Sequence, residues 1–105
     1  MLIRLKASAG TSVIATWTFE VNPADFDALA THARLAIDQL PPLSGWLGSE
    51  VLGSEDRTRI LVLSEWESRD AWARGQWDVS IGKVLEAFTR RGRSQEFRLY
   101  FPVLP

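Results

Sequence analysis

The sequence contains no cysteine and only one histidine, His32. Without cysteine, the chain can form no disulfide, no thiolate nucleophile and no thiolate-bound metal site. One histidine excludes a multi-histidine metal site within a single chain. No glycine-rich phosphate-binding loop is present either. We therefore expect the protein to work without a metal, a flavin or any other cofactor.

Neither sign of charge is in excess, because 12 basic and 13 acidic side chains leave a net charge of −1. Such a balance gives no electrostatic footprint for nucleic acid or for an anionic membrane. No apolar run approaches the ~20 residues that a membrane span requires. Residues 1–10 lack the apolar stretch of a signal peptide. We expect no nucleic-acid partner, no membrane partner and a cytoplasmic location.

The 105 residues are expected to form one domain, residues 1–105, since no linker or internal repeat divides them. Strands are indicated by alternation of apolar and polar residues, and helices by apolar spacings of three and four. Asn22, as a side-chain cap, and Pro23 are typical of a helix start, and Ser68 of a second one. The predicted elements are strand 12–21, helix 22–40, a hairpin of 45–53 and 57–66, a short helix after 68, a helix from 78 to about 91, and strand 96–103.

This order predicts an α+β, ferredoxin-like βαββαβ fold, with a four-stranded antiparallel sheet and both helical segments on one face. Residues 60–63 are Ile-Leu-Val-Leu, a continuous apolar run that is typical of a strand covered on both faces. The helices can cover only one of them. A second copy of the chain, packed sheet against sheet, would cover the other, so we expect a homodimer.

Five tryptophans are the most distinctive feature of the composition. Indole rings are large and difficult to bury completely in a small core. They allow two interpretations: that they are ordinary core and interface residues, or that several of them line one ligand cavity. The five are Trp17, Trp46, Trp66, Trp72 and Trp77.

Two segments, residues 45–52 and 60–72, resemble the antibiotic biosynthesis monooxygenase family. The features that carry the resemblance are a Pro-x-x-x-Gly lead-in to the second strand and a Trp-Glu-Ser ending of the third, followed by a helix. The resemblance implies a dimeric α/β barrel with a pocket between helices and sheet. It also implies the activities known in that superfamily, which are cofactor-independent oxygenation of polyphenols and anthrones, quinol oxidation and haem degradation.

The chain departs from two branches of that family. Haem-degrading relatives place a histidine on the helix after the Trp-Glu-Ser segment, whereas residues 73–78 contain none. Haem breakdown is therefore not expected. The anthrone-oxidising relatives match at Trp66 but have asparagine where Val62 stands and tyrosine where Trp72 stands. Since Val62 can neither donate nor accept a proton, family chemistry would have to use other groups in this chain.

Oxygenation without metal or flavin requires an electron-rich substrate anion, a water-poor pocket, a base and a donor for the anion. Trp66 offers an indole N–H, which can donate a hydrogen bond but cannot act as a base. Trp17 and Trp72 offer flat surfaces for an aromatic substrate. We also assign Trp77 and Phe88 to the predicted pocket. Each of these aromatic residues could equally be a plain core residue.

The candidate bases are Glu65, which neighbours Trp66, and His32, whose intrinsic pKa is near neutral. Either could instead be an ordinary solvated side chain. We expect a cofactor-independent monooxygenase or oxidase of a small aromatic, polyketide-like or quinol-like substrate. The alternatives are a non-catalytic dimer that binds a hydrophobic small molecule, and a polyketide cyclase that acts by positioning a flexible chain.

Overall fold

The computed structural model describes residues 12–76, 82, 86, 88, 90 and 94–103. Residues 82, 86, 88 and 90 are helical. The elements in chain order are β1 (Val13–Glu20), α1 (Pro23–Asp38), β2 (Trp46–Gly53), β3 (Arg59–Trp66), α2 (Arg69–Gly75) and β4 (Ser94–Tyr100). Their order and the antiparallel pairing confirm the predicted α+β, ferredoxin-like fold.

The four strands form one sheet in the order β2-β3-β1-β4. Trp17 of β1 lies opposite Val62 of β3 on one side and Phe97 of β4 on the other. Because side chains alternate between the faces of a strand, this register decides which residues share a face. Val62, Trp17 and Phe97 all lie on the face that carries the helices.

The core fills the space between this face and the helices. Phe19 and Phe88 are fully buried, and their rings stack with centroids 4.1 Å apart. Leu29 of α1 and Ile60 of β3 are also buried in the same cluster. Phe88 is itself helical, so a second helical part of the chain lies on the same sheet face as α1, as predicted.

The helix starts differ in how they are capped. Asn22 makes no side-chain cap hydrogen bond; its carbonyl accepts from the backbone N–H of Asp25 at 2.9 Å, and Pro23 occupies the first turn. The expectation that the Asn22 side chain caps α1 was therefore wrong. The Ser68 prediction is confirmed, since Ser68 Oγ accepts from the backbone N–H of Ala71 at 3.1 Å.

The ends of the elements also differ from the sequence prediction. Helix α1 ends at Asp38, two residues before Leu40, whose N–H still bonds to the carbonyl of Ile37. Strand β4 runs from Ser94 to Tyr100, so it begins two residues and ends three residues before the predicted 96–103. The predicted helix bounds at 78 and 91 lie outside the described residues.

The β2–β3 turn is built from local polar contacts. Asp56 accepts hydrogen bonds from the hydroxyls of Thr58, at 2.6 Å, and Ser54, at 2.8 Å. These hydrogen bonds, that from Thr58 first, hold the pKa of Asp56 below its usual range. Arg57 adopts a φ of 63° and lies over the Phe26 ring of α1, 4.7 Å from its centroid. The turn thus fixes the β2–β3 register and binds the hairpin to α1.

The opposite face of the sheet has no helix of the described chain over it. Leu61 and Leu63 of β3 lie on this face and are half-buried, while Glu65 is buried. Tyr100, at the end of β4, is 50% exposed. Among the described helices, none is long and apolar enough to span a bilayer.

Candidate functional site

A pocket opens at one end of the helix-covered face, and its floor is a row of small side chains. Ser49 of β2 lies opposite Ser64 of β3, which in turn lies opposite Ala15 of β1. All three line the pocket. Larger residues occupy the neighbouring rows of the same face, so the space exists because this row does not fill it.

The next row across the sheet forms one wall. Val62, Trp17 and Phe97 line the pocket there, and the rings of Trp17 and Phe97 are tilted against each other with centroids 4.8 Å apart. Ile37, in the last turn of α1, and Leu40, just beyond it, line the pocket from the helix side. This wall is entirely apolar or aromatic, as expected for a site that takes an apolar ring.

Trp66, which ends β3, forms the opposite wall and is only 3% exposed. Gly75 of α2 packs directly on its indole, and a Cβ at Gly75 would overlap the six-membered ring. Trp72, also from α2, stacks on Phe97 with centroids 5.6 Å apart and planes inclined by 18°. Gln76 lines the pocket from an exposed position, so it lies at the mouth.

The approach of α2 to β3 depends on small residues. Gly45, just before β2, has a φ of +79°, a left-handed conformation that glycine adopts without strain. A Cβ at Gly45 would overlap that of Ala71 in α2. The N–H of Glu67 bonds to the Gly45 carbonyl at 2.8 Å. These contacts hold α2 close enough for Trp72 and Gly75 to reach the pocket.

The pocket has a volume of about 130 Å³ and is partly open to solvent. An apolar cavity of about 150 Å³ can hold a benzene molecule. The enclosed part therefore accommodates one aromatic ring, and a larger fused system would extend through the mouth. Among the described residues that line it, none carries a titratable side chain.

Two indole N–H groups donate to the two serines of the floor. Trp66 Nε1 donates to Ser64 Oγ at 2.9 Å, and Trp46 Nε1 donates to Ser49 Oγ at 2.9 Å. The N–H of Trp66 is thus directed at a neighbouring hydroxyl instead of the open space. Any influence of this N–H on a ligand passes through Ser64.

Three of the predicted site residues, Trp17, Trp66 and Trp72, come together around the pocket. Val62 also lines it, so both positions at which the chain departs from the anthrone-oxidising relatives, 62 and 72, face the same space. Phe88 does not line this pocket; it lies in the core against Phe19. Trp77 lies outside the described residues.

Neither candidate base lines the pocket. Glu65 follows Ser64 in β3, and its side chain therefore lies on the sheet face away from the helices, opposite Gly48 and Ile14. Glu65 is buried there, 4% exposed. His32 lies on α1 with intermediate exposure. No cluster of three or more potential metal ligands occurs within the described part of the chain.

Sequence reasoning missed the two serines, Ala15 and Phe97. A signal for them exists, because Ala15 and Ser64 interrupt runs of larger residues at inward-facing strand positions. Recognising the row required the register of β2, β3 and β1, which a Trp46–Gly48 irregularity in the β2–β3 pairing shifts. Alternation alone does not supply that shift.

The fold and this pocket, between helices and sheet, define a ferredoxin-like α+β protein with an aromatic-lined cavity. The model of the antibiotic biosynthesis monooxygenase family matches residues 12–74, which is more than half of the chain. The chain therefore belongs to this family. The match covers β1 to α2 and includes most residues of the pocket. No curated protein matches the sequence.

Solved structures share the fold at low sequence identity. A proposed antibiotic biosynthesis monooxygenase from Nitrosomonas europaea superposes with a TM-score of 0.77 at 15% identity, covering 95% of this chain and 98% of that one. SnoaB from Streptomyces nogalater, a cofactor-independent oxygenase, gives a TM-score of 0.66 at 16% identity, covering 90% of this chain and 96% of that one. At these identities the likeness establishes the fold alone.

Proposed function

We propose that this protein is a cofactor-independent monooxygenase or oxidase of a small, electron-rich aromatic substrate of the phenol, quinol or anthrone class. The observation that carries the proposal is an apolar, aromatic-walled pocket of about 130 Å³, with two hydroxyls at its floor, in a member of the antibiotic biosynthesis monooxygenase family. The cofactor-independent oxygenase SnoaB, which shares the fold, gives further support.

The chemistry places the reactive electrons on the substrate. For an anthrone-like substrate, a ring CH₂ group loses a proton, and the carbanion reduces O₂ to form a C–O bond as a hydroperoxide. Loss of water then leaves a ketone, so CH₂ + O₂ gives C=O + H₂O and atoms and electrons balance. The protein has to bind the ring, exclude water and stabilise the anion.

The residues of this chain divide these tasks. Trp72 and Phe97 provide stacked flat surfaces for the ring, and Ile37 and Val62 make the surroundings apolar. Hydrogen-bond donors at the floor favour the anionic form of a bound substrate, which lowers its pKa. No described lining residue can act as a base, so among the described groups only solvent at the open mouth can take the proton, which favours an acidic substrate.

The absence of a titratable group from the described wall favours a second candidate, a non-catalytic protein that binds a hydrophobic aromatic molecule. A polyketide cyclase would use the same pocket to position a flexible chain. The three functions differ in their use of oxygen. A binding protein releases its ligand unchanged, and a cyclase gives a ring-closed product without consuming O₂.

Oxygen uptake with anthrone and with 1,4-naphthohydroquinone tests the proposal. We expect the chelator-treated protein to accelerate uptake above the uncatalysed rate and, under ¹⁸O₂, to give anthraquinone from anthrone with one labelled oxygen. Ala15→Leu, which fills the floor of the pocket, should reduce the rate to background and thus control for autoxidation. Binding of both compounds without any acceleration would eliminate the oxygenase proposal.

We also propose that the protein is a homodimer, with the sheet face opposite the helices as its interface. The support is the half-buried pair Leu61 and Leu63 on that face, together with the family resemblance. Sedimentation velocity should show a dimer for the parent chain and for Leu35→Asp, a control at an exposed leucine of α1. Leu63→Asp should dissociate the dimer, because it would bury an unpaired charge. A folded monomer of the parent chain at micromolar concentration would contradict this proposal.

A further inference from the structure

Ser49 and Ser64 form a pair whose geometry is fixed both by strand pairing and by hydrogen bonds from two tryptophans. They are direct partners in the antiparallel β2–β3 ladder, where opposite side chains have Cβ atoms about 4.5–5.5 Å apart. Both are half-buried and line the same pocket. At this separation, two hydroxyls can both reach a single ligand atom at ordinary hydrogen-bond distances of about 2.7–2.8 Å.

Each hydroxyl is also held by its own tryptophan. The indole N–H of Trp46 donates to Ser49 Oγ, and that of Trp66 donates to Ser64 Oγ, both at 2.9 Å. Because an indole can only donate, each contact occupies a lone pair of the serine oxygen and leaves the hydroxyl hydrogen to be donated elsewhere. A hydroxyl that already accepts a hydrogen bond is also a stronger donor, since hydrogen bonds in a chain polarise one another.

The rest of the described wall offers a ligand no further hydroxyl and few other polar groups, namely Gln76 and the indole N–H groups of Trp17 and Trp72. Gln76 lies at the exposed mouth, while the remaining lining side chains are apolar or aromatic. A flat ring stacked in the pocket would therefore meet hydroxyl donors only at the β2–β3 floor. A ligand oxygen placed there would meet two hydroxyl donors at once, whereas one placed elsewhere in the pocket would meet at most a single indole N–H, from Trp17 or Trp72.

We propose that Ser49 and Ser64 are a substrate-binding pair that donates two hydrogen bonds to one oxygen of a planar aromatic substrate, either a ring carbonyl or a phenolate. This inference rests on the proposed function for the identity of the pocket and deepens it by naming the recognised group. Trp46 and Trp66 are positioning residues that act through the two hydroxyls. The pair selects oxygenated rings over plain hydrocarbons of the same shape.

Binding of two matched probes under argon tests this pair independently of turnover. 1-Naphthol carries an oxygen, and 1-methylnaphthalene has a methyl group in the same place. By titration calorimetry, we expect the double variant Ser49→Ala/Ser64→Ala to bind 1-naphthol about tenfold or more weakly than the parent chain, while its affinity for 1-methylnaphthalene changes less than about twofold. Ser64→Thr, which keeps the hydroxyl, should retain most of the naphthol affinity. Ser44→Ala, at an exposed serine, is the matched control.

The positioning role has its own readout. Trp66→Phe removes the indole N–H and keeps both hydroxyls, so in the parent chain the naphthol affinity should fall severalfold, whereas in the Ser64→Ala variant the same change should cause no further loss. Each single serine variant is measured beside the double one. If one variant fails to fold, the affinity of the other for the two probes still tests the pair. An equal loss for both probes, or no loss for either, would overturn the proposal.

The outcomes separate this inference from the proposed function. If the naphthol preference depends on the serines but the protein consumes no oxygen, the pair is established and the oxygenase proposal falls. If the double variant binds 1-naphthol unchanged while oxygen uptake by the parent chain proceeds, the pair is wrong and the oxygenase proposal stands.

Discussion

The two ends of the helix-covered sheet face are built from the same strands but are packed in opposite ways. At one end, Phe19 stacks on Phe88 at 4.1 Å, and Ile60 completes a filled core. At the other end, Ser64 and Ala15 leave room for a pocket between aromatic walls. The difference lies in the size of the inward side chains, together with the Trp46–Gly48 irregularity at the pocket end. Aromatic residues fill space where their neighbours are large and enclose it where their neighbours are small.

The largest expected effect is at the filled end. Phe19→Ala should destabilise the protein by about 3–5 kcal/mol, because it deletes a fully buried ring and leaves a cavity. Trp72→Ala, at the pocket end, should cost only about 1–2 kcal/mol, since this partly exposed ring already borders empty space. Urea unfolding measures both. Equal losses in the free energy of unfolding for the two variants would show that the two ends do not differ in packing energy.

Filling the pocket should convert the open end into a second closed one. Ala15→Leu is expected to reduce affinity for 1-naphthol by about a hundredfold or more, because the added carbons occupy the floor. Its stability should stay within about 1.5 kcal/mol of the parent value, since the new atoms enter existing space. Calorimetry measures the affinity, and urea unfolding measures the stability. Unchanged affinity would show that ligands bind elsewhere.

The wall that α2 contributes to the open end depends on Gly75. Gly75→Ala should destabilise the protein by about 1–3 kcal/mol, because the added methyl overlaps the Trp66 ring and forces it to move. The same change should shift the tryptophan emission and weaken 1-naphthol binding. Gly82→Ala, where a Cβ meets no neighbour, is the matched control. A Gly75→Ala protein that is more stable than the parent chain would show that α2 can move away from Trp66 without loss of stability.

The smallest expected effect is on the stability of the fold at acidic pH. Asp56 lies in the turn at the filled end, and its pKa is lowered by hydrogen bonds from Thr58 and Ser54. A carboxyl whose folded pKa lies below the unfolded value of 3.8 stabilises the fold above pH 3.8 and loses this contribution as pH falls through the folded value. Asp56→Asn should therefore be less stable than the parent chain near neutral pH, and the difference should shrink below pH 3.8. Urea unfolding across that range tests the sign.

Local pattern was enough to predict the order of elements and part of the site. Trp17, Trp66 and Trp72 were identifiable because each stands at an inward position or at a strand–helix junction. Phe88 satisfies the same criteria, yet it fills the core because the strand residue on which it stacks is Phe19 and not a serine. Glu65 does not line the pocket for a related reason: the residue beside Trp66 in a strand points to the other face. Pairing register, which long-range contacts set, separates these cases.

The absence of titratable side chains from the described pocket wall determines how pH would act on the proposed activity. In most enzymes of acid–base type, the bell-shaped pH dependence reports protein groups. If solvent takes the proton, as proposed above, the ionisation that matters belongs to the substrate. Across a series of substituted phenols or anthrones, reactivity would follow a Brønsted relation in the acidity of the compound itself. Selection among substrates would then combine molecular shape with intrinsic acidity, and a poorly acidic ring could bind well without ever reacting.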